Sequence, residues 1–509
     1  MNNTRFPPVF TTARQSFQAA LADARSTQER ILHDLLHSNA ASAFGRRYGF
    51  ERIHSYADFA ARVPVHTYAD YQADIEALAA GTPGVLTTEA VTLFEETGGS
   101  SGGAKLIPYT PSLLAAFRRA VLPWLADLAQ FRPQALAGRL FFIISPAGRS
   151  RSHTAGGIAI GNGDDLAYFG ADTAAWLAER TLFQPELMQQ QSAERWQWHS
   201  ARVLLSAPDL SFISVWSPTL LLTILNTLQQ QADSLLATLP DPARRRHVAQ
   251  ALACTPMDTR TLWPQLDTVS AWDSHTAAAP AAALRALFPH VHLQGKGLLA
   301  TEAVSSIPFS GSPWPLLAVD SHFYEFADEV GGIHLPHSLD SGARYRVIVS
   351  TQGGLYRYDS GDCVHIHGLL GGVPQMEFVG RNSLTSDLCG EKLTEAFVQA
   401  AMRQVDAALP QQALLQAVMD NPPYYRLCVD AAVAPPERAQ QLAAALDHAL
   451  GANPQYAHAR RIGQLGALQA AAMDDLQTYA AGLHRAEQRL ATRKVSLLLP
   501  PCVLPDAQL

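Results

Sequence analysis

Residues 95–110 read Glu-Glu-Thr-Gly-Gly-Ser-Ser-Gly-Gly-Ala-Lys-Leu-Ile-Pro-Tyr-Thr. Glycines at 98, 99, 102 and 103 let the backbone turn sharply and aim several N–H groups at one point, while Thr97, Ser100 and Ser101 add hydroxyl donors. Lys105 follows with a positive charge, so the run suits a phosphate. Val91, Leu93 and Phe94 alternate as in a strand, which makes the run a strand-to-turn connection rather than a linker. It is not a P-loop, because Ala104 and Leu106 flank the lysine where that motif needs Gly-Lys-Ser/Thr. Taken alone, the same run also fits a surface turn.

Working outward, the 509 residues are 48% hydrophobic, enough for a large core and for two or more domains. A net charge of −7 and the lack of a sustained basic cluster argue against a nucleic-acid binder; Arg244-Arg245-Arg246 reads as an exposed helix end. Five cysteines without CxxC spacing indicate neither a disulfide framework nor a zinc site and fit a reducing cytoplasm. Neither a signal-type apolar core nor an uninterrupted apolar stretch of about 20 residues is visible, so no membrane partner is expected.

The periodicity predicts a helix over 12–38, a helix from Thr110 to Leu128 carrying Arg118 and Arg119, and a buried strand from Leu140 to Ser145. Arg202–Ser206 and Phe212–Trp216 repeat the strand pattern, Leu220–Leu228 reads as an apolar helix, and 240–290 reads as helical packing material. Either arginine could meet an acyl carboxylate or stand on a solvated face, and Trp216 is as readily a core residue as a substrate wall. Residues 291–302 combine a strand, a glycine-bracketed turn and a terminal carboxylate, Glu302. Tyr345–Ser350 is a strand leading to Gly354–Val364, in which Asp362 follows a glycine; Gly-Asp alone is also an ordinary turn. Beyond 390, strands at 414–419, 425–433 and 465–468 alternate with helices at 437–450 and 474–490, as in a compact α+β unit.

Thr97–Lys105 with Ile107-Pro108-Tyr109, Trp216-Ser217-Pro218-Thr219, Thr301-Glu302, Tyr356-Arg357 with Gly361-Asp362 and Val364, Phe378-Val379-Gly380-Arg381, and Gly390-Glu391-Lys392-Leu393 occur in one order. In that order they resemble the Gretchen Hagen (auxin-responsive promoter) acyl acid amido synthetases, in a bacterial-type form, within the adenylate-forming enzymes. Gly98 stands where Ser or Thr is common there.

The resemblance implies an α/β fold with mixed and parallel sheets and flanking helices in a large N-terminal domain (1–379), followed by a small α+β domain (380–509) on a hinge. It implies ATP and Mg2+ as cofactors, with Lys105, Glu302 and Lys494 catalytic and Glu302 on the metal. Thr97, Gly99, Ser100, Ser101 and Gly102 would cradle phosphates and Thr301 would frame the adenine. Tyr356, Asp362, Phe378 and Arg381 would complete the nucleotide site, with Asp362 accepting from both ribose hydroxyls. Arg119, Trp216 and Leu220 would line the acyl site.

The activity implied is adenylation of a carboxylic acid, then transfer of the acyl group to the amine of an amino acid, in a monomer or weak dimer. A thioester ligase sharing the adenylation step is the alternative. A nucleotide-binding protein without chemistry would be expected to have lost Lys105, Glu302 or Asp362, and all three are present.

Overall fold

The apolar face expected over 12–38 is carried by two helices, α1 (Pro8–Ala22) and α2 (Ala24–Asn39), because Asp23 leaves helical geometry between them. This computed structural model describes residues 6–97, 105–142, 152–161, 165–182, 193–381, 385–431, 434–474, 476 and 498–503. Helix α3 (Tyr68–Ala79) starts from a reciprocal cap in which Asp70 accepts from the Thr67 N–H at 2.7 Å and from its hydroxyl at 2.8 Å. Strands β1 (Leu93–Thr97) and β2 (Lys105–Tyr109) form an antiparallel hairpin whose last pair is Thr97 with Lys105, so the glycine run bridges two fixed feet. Residues 98–104, including Gly99, Ser100, Ser101 and Gly102, lie outside the described residues.

Thr110 caps α4 (Pro111–Phe131) by accepting from Leu113 N, with Pro111 at the first helical position where its missing N–H costs nothing. The helix packs on α1, where Arg14 reaches Asp127 at 3.3 Å, and it covers one face of a parallel sheet. That sheet begins with β3 (Arg139–Phe142); the remaining positions of the expected 140–145 strand, 143–145, lie outside the described residues. Arg202–Ser206, expected as a strand, is the end of helix α5 (Ala193–Leu205): a short run such as Val203-Leu204-Leu205 has no period that separates the two. Next come β4 (Leu210–Ser214), the expected apolar helix α6 (Pro218–Gln230), β5 (Thr268–Ala271) and β6 (His292–Gly295). Strand β5 breaks the all-helical expectation for 240–290; four wholly buried residues in a parallel sheet need no alternation to advertise them.

The order β3-β4-β5-β6 is parallel throughout. Phe142 and Phe212 join the core on the α4 side, whereas Phe141, Ile213, Val215 and Val269 join the core on the α6 side, as alternation in a strand requires. Each such fully buried large apolar side chain contributes about 1.5–3 kcal/mol.

A second sheet is antiparallel and seven-stranded among the described residues: Ile333–His334, β7 (Phe323–Ala327), β8 (Arg344–Ser350), β9 (Tyr358–Leu370), β10 (Val373–Arg381), Leu316–Leu317 and Ser306–Ile307. The chain then builds a third core from residues 388–498. It comprises α7 (Glu395–Val405), β11 (Ala413–Met419), β12 (Tyr424–Asp430), α8 (Pro436–Leu450), β13 (Gln469–Met473) and β14 (Leu498–Val503), in a mixed sheet of order β13-β12-β11-β14. The strand expected at 465–468 falls at 469–473, and the helix expected over 474–490 lies almost wholly outside the described residues, as does Lys494. The fold class is α/β with mixed and parallel sheets and a smaller α+β unit, as expected. Among the described residues no helix is long and apolar enough to cross a membrane.

Candidate active site

The two feet of the glycine hairpin meet a helix and a loop through tyrosines. Tyr68, first residue of α3, donates to Leu106 O at 3.2 Å and accepts from Leu106 N at 2.8 Å, and the Lys105 ammonium lies 5.0 Å from its ring centre. Burial pushes the Tyr68 hydroxyl up to about 12, and the negative charge of Glu302 pushes the same way, which places that carboxylate beside the lysine's foot. Tyr109, at the far end of β2, donates to Thr301 O at 2.6 Å and fixes the Thr-Glu step from the other side.

Glu302 is 8% exposed, and its one side-chain hydrogen bond among the described residues is a long one, from Tyr358 Oη at 3.4 Å. A buried carboxylate so weakly held is costly unless a cation or donor joins it. Tyr358 opens β9, and four residues on stands Asp362, buried and directly opposite Arg381 of β10. Lys105, Thr301 and Glu302 are thus joined through tyrosines, and Tyr358 opens the strand that carries Asp362 opposite Arg381. The sequence reading gave Tyr68, Tyr109 and Tyr358 no chemistry; Tyr109 and Tyr358 were marked by their position inside motifs, whereas nothing local marks Tyr68.

Tyr356 stands elsewhere. It is fully buried, its hydroxyl donates to Leu86 O at 3.0 Å, and its peptide groups hold Tyr71, so it packs the core and offers no free edge to a nucleotide. Its neighbour Arg357 has a left-handed backbone (φ 50°) and buries its guanidinium against Glu325, Nε to Oε2 at 3.0 Å and a terminal nitrogen to Oε1 at 2.8 Å. The other terminal nitrogen donates to Val63 O at 2.7 Å, and Tyr56 donates to Glu325 at 2.8 Å. This pair anchors the turn that launches Tyr358 and Asp362.

On the acyl side, Trp216 follows β4 and meets Trp272 at 5.7 Å between ring centres. Between Trp216 and Trp124 of α4 sits Lys296, 7% exposed, its ammonium 5.3 Å and 5.1 Å from their ring centres and donating to Ser214 Oγ at 2.6 Å. Burial brings Lys296 down to about 7. This lysine lies inside the glycine-bracketed turn of 291–302, to which the sequence reading gave no role beyond its terminal carboxylate. Leu220 joins the core on the opposite face of the sheet and does not wall the same space. Arg119 is spent on the carbonyls of Asp320 and Ser321, at 3.0 and 3.4 Å. Arg118 packs beside Gly170.

At the junction with the third core, the Phe378 and His275 ring centres lie 5.9 Å apart, and Gly380, with φ 124°, sits close under the same imidazole, where a Cβ would come to 3.1 Å from His275 Nε2. Glu391 of the Gly-Glu-Lys-Leu step is buried and accepts from Leu388 N at 2.6 Å, Cys389 N at 2.7 Å and the Tyr425 hydroxyl; burial pushes it up to about 7. It therefore organises the small unit internally. A cavity of about 460 Å³ lies under α2, lined by Gln28, Leu32, Tyr56 and Phe323 among others, and none of the expected site residues borders it.

The same segments decide the family. The sequence pattern of the GH3 family N-terminal domain matches residues 13–293, more than half of the chain, and that of the GH3 family central domain matches 316–381. The chain belongs to the GH3 family.

Among GH3 relatives, the putative indole-3-acetic acid-amido synthetase GH3.10 of Oryza sativa subsp. japonica is 25% identical over 408 residues, covering 75% of this chain and 84% of its own. The jasmonoyl-L-amino acid synthetase JAR4 of Nicotiana attenuata is 21% identical over 450 residues, covering 79% and 76%. In fold, the GH3.15 acyl acid amido synthetase solved with 2,4-DB superposes with a TM-score of 0.68 at 18% identity over 98% of this chain and 95% of that one. A 2-hydroxyisobutyryl-CoA ligase solved with 2-HIB-AMP and CoA gives 0.55 at 12% identity, over 97% and 91%. The GH3 membership thus confirms the family read from the motifs, and both structures share the two-part architecture.

Proposed function

We propose that this GH3 chain is a ligase that joins a carboxylic acid to AMP, releasing pyrophosphate, and then passes the acyl group to the amine of an amino acid, releasing AMP. The observation that carries the reading is the convergence of Lys105 and Glu302 on Tyr68, with Tyr358 leading from Glu302 to Asp362. A carboxylate is a poor electrophile, since its charge repels nucleophiles and its oxygen leaves badly. Linking it to AMP removes both faults.

In the first half-reaction a carboxylate oxygen attacks the α-phosphorus and the bond to pyrophosphate breaks, so catalysis is positioning of two anions and neutralisation of charge. Lys105 and the N–H groups of 98–104 would take the β- and γ-phosphates, Thr301 would frame the adenine, and Asp362 with Arg381 would hold the ribose. Glu302 fits Mg2+: it is a buried oxygen donor with one long hydrogen bond, and no cluster of three or more His, Cys, Asp or Glu among the described residues competes as an all-protein cage. Held by Glu302, the metal would supply positive charge that neutralises the phosphates.

We place the hinge at Phe378–Arg381, dividing 1–379 from 380–509. The separate core of residues 388–498 supports this, and two half-reactions at one site call for groups that can be exchanged. Lys494 would be brought to the α-phosphate by the small domain. Lys494→Ala is expected to slow acyl-adenylate formation about 10²–10³-fold and to spare amide formation from preformed acyl-adenylate; an unchanged single-turnover rate would make it a surface lysine. We further read the chain as a cytoplasmic monomer or weak dimer of bacterial type; its scattered cysteines fit a reducing compartment.

Acid-dependent exchange of pyrophosphate into ATP with Mg2+, screened over aromatic and alicyclic acids, tests the first step. AMP release on adding amino acids rather than coenzyme A tests the second. No exchange with any acid, together with no ATP binding, rejects the proposal.

A further inference from the structure

The ends of the parallel strands carry a row of polar side chains where an apolar acid pocket needs none. Phe142, Ser214, Ser270 and Gln294 stand in register across β3, β4, β5 and β6, so their side chains share one face. Lys296 follows two residues after Gln294. That face looks at α4: Trp124 Nε1 donates to Gln294 Oε1 at 2.8 Å, and Trp124 lies 6.3 Å from the Phe212 ring. Trp124, Trp216 and Phe142 supply flat apolar walls of the kind that hold a ring.

One member of the row and the lysine beyond it have unused capacity. Ser270 Oγ is buried and has no hydrogen-bond partner among the described residues. Lys296 has three N–H donors, and one is used, on Ser214. Asp273, whose carboxylate packs against Gly295, makes no ion pair with it, and no other acidic side chain does among the described residues. A buried cation facing two tryptophans and a serine is costly to keep, and an anion from the substrate would offset that cost.

We propose that Lys296, assisted by Ser214 and Ser270, binds a second anionic group of the acyl acid, so that the preferred substrates are ring-bearing acids with a further carboxylate besides the one that is adenylated. This rests on the acyl acid reading above. The reacting carboxylate is a poorer match for Lys296. It loses its charge on adenylation, so an ammonium placed on it would stabilise the starting state more than the product and slow the step. A second anion keeps its charge throughout, and binding it lowers KM at no such cost. The acceptor amino acid also carries a carboxylate, and the experiment separates the two.

Pyrophosphate release by the full chain is measured with Mg-ATP and matched pairs: benzene-, naphthalene- and cyclohexane-dicarboxylic acids against their monomethyl esters, which keep one reacting carboxyl and remove one charge. The wild type is expected to favour at least one diacid over its ester by about 100-fold in kcat/KM, as a site built around a polar group rejects analogues that lack it. Lys296→Met should erase that preference by weakening the diacid far more than the ester. Lys296→Gln serves if the methionine variant is unstable.

A wild type that turns over esters as well as diacids overturns the proposal, as does a variant that weakens both equally. A variant that keeps the diacid preference and raises only the KM of the amino acid overturns it too, by assigning Lys296 to the acceptor. Turnover of monoacids alone would leave the ligase reading standing while this inference falls; no turnover of any acid removes both.

Discussion

Glu302→Gln is expected to lower acid-dependent pyrophosphate release about a thousandfold, the upper end of what a single preorganised charge-stabilising group supplies, with no loss of thermal stability. The substitution keeps shape and can keep the Tyr358 contact, which is only a 3.4 Å hydrogen bond. What it removes is the negative charge that a hard divalent cation requires. Glu302 is buried without an ion-pair partner among the described residues, so its neutral form is cheaper to bury, and Tm should stay level or rise. Single-turnover pyrophosphate release and a melting curve read the two quantities separately. A near-wild-type rate would remove Glu302 from the site, whereas lost activity with lost stability would make it a folding residue.

Arg357→Met should act through stability. The Arg357–Glu325 pair is 5% and 1% exposed at its side chains, so breaking it from one side leaves a buried carboxylate that, among the described residues, keeps only Tyr56. Losses of about 3–5 kcal/mol follow from stranding a buried charge in this way. The Val63 and Ala60 carbonyls would lose their donor as well. Adding Glu325→Gln to that variant should recover part of the loss, because the stranded charge is then gone. Urea unfolding of both variants measures this. A loss under about 1 kcal/mol for the single variant would show that Glu325 finds solvent or another partner. Because Arg357 positions the turn before Tyr358 and Asp362, the surviving folded protein should also bind nucleotide less well.

Several motifs were legible because they place unusual chemistry at fixed spacing. The glycine run was read as a strand-to-turn connection, and β1 and β2 provide its two feet with Thr97 opposite Lys105. Asp362 and Arg381, both expected at the nucleotide by resemblance, stand opposite each other across β9 and β10, a register that no spacing could reveal.

What stayed hidden depended on partners distant in the chain. Tyr68 and Glu302 are far apart in sequence, and only the tertiary fold brings the hydroxyl and the carboxylate together. Tyr356 fits the family pattern ahead of the Gly-Asp motif, yet it stands before β9, fully buried, with its hydroxyl on the Leu86 carbonyl. Leu220 stands on the helix opened by Pro218, whose apolar side joins the core on the far face of the parallel sheet. Lys296 was overlooked because a lysine between two glycines reads as a solvated turn, and nothing local shows two tryptophans closing over it.

The most direct test of the central claim is a crystal structure with Mg2+ and a non-hydrolysable ATP analogue. It is predicted to place the β- and γ-phosphates within hydrogen-bonding distance, about 3 Å, of Lys105, the metal on Glu302, and the ribose hydroxyls on Asp362. A nucleotide bound instead in the cavity beneath α2, with Lys105, Glu302 and Asp362 touching none of it, would contradict the account.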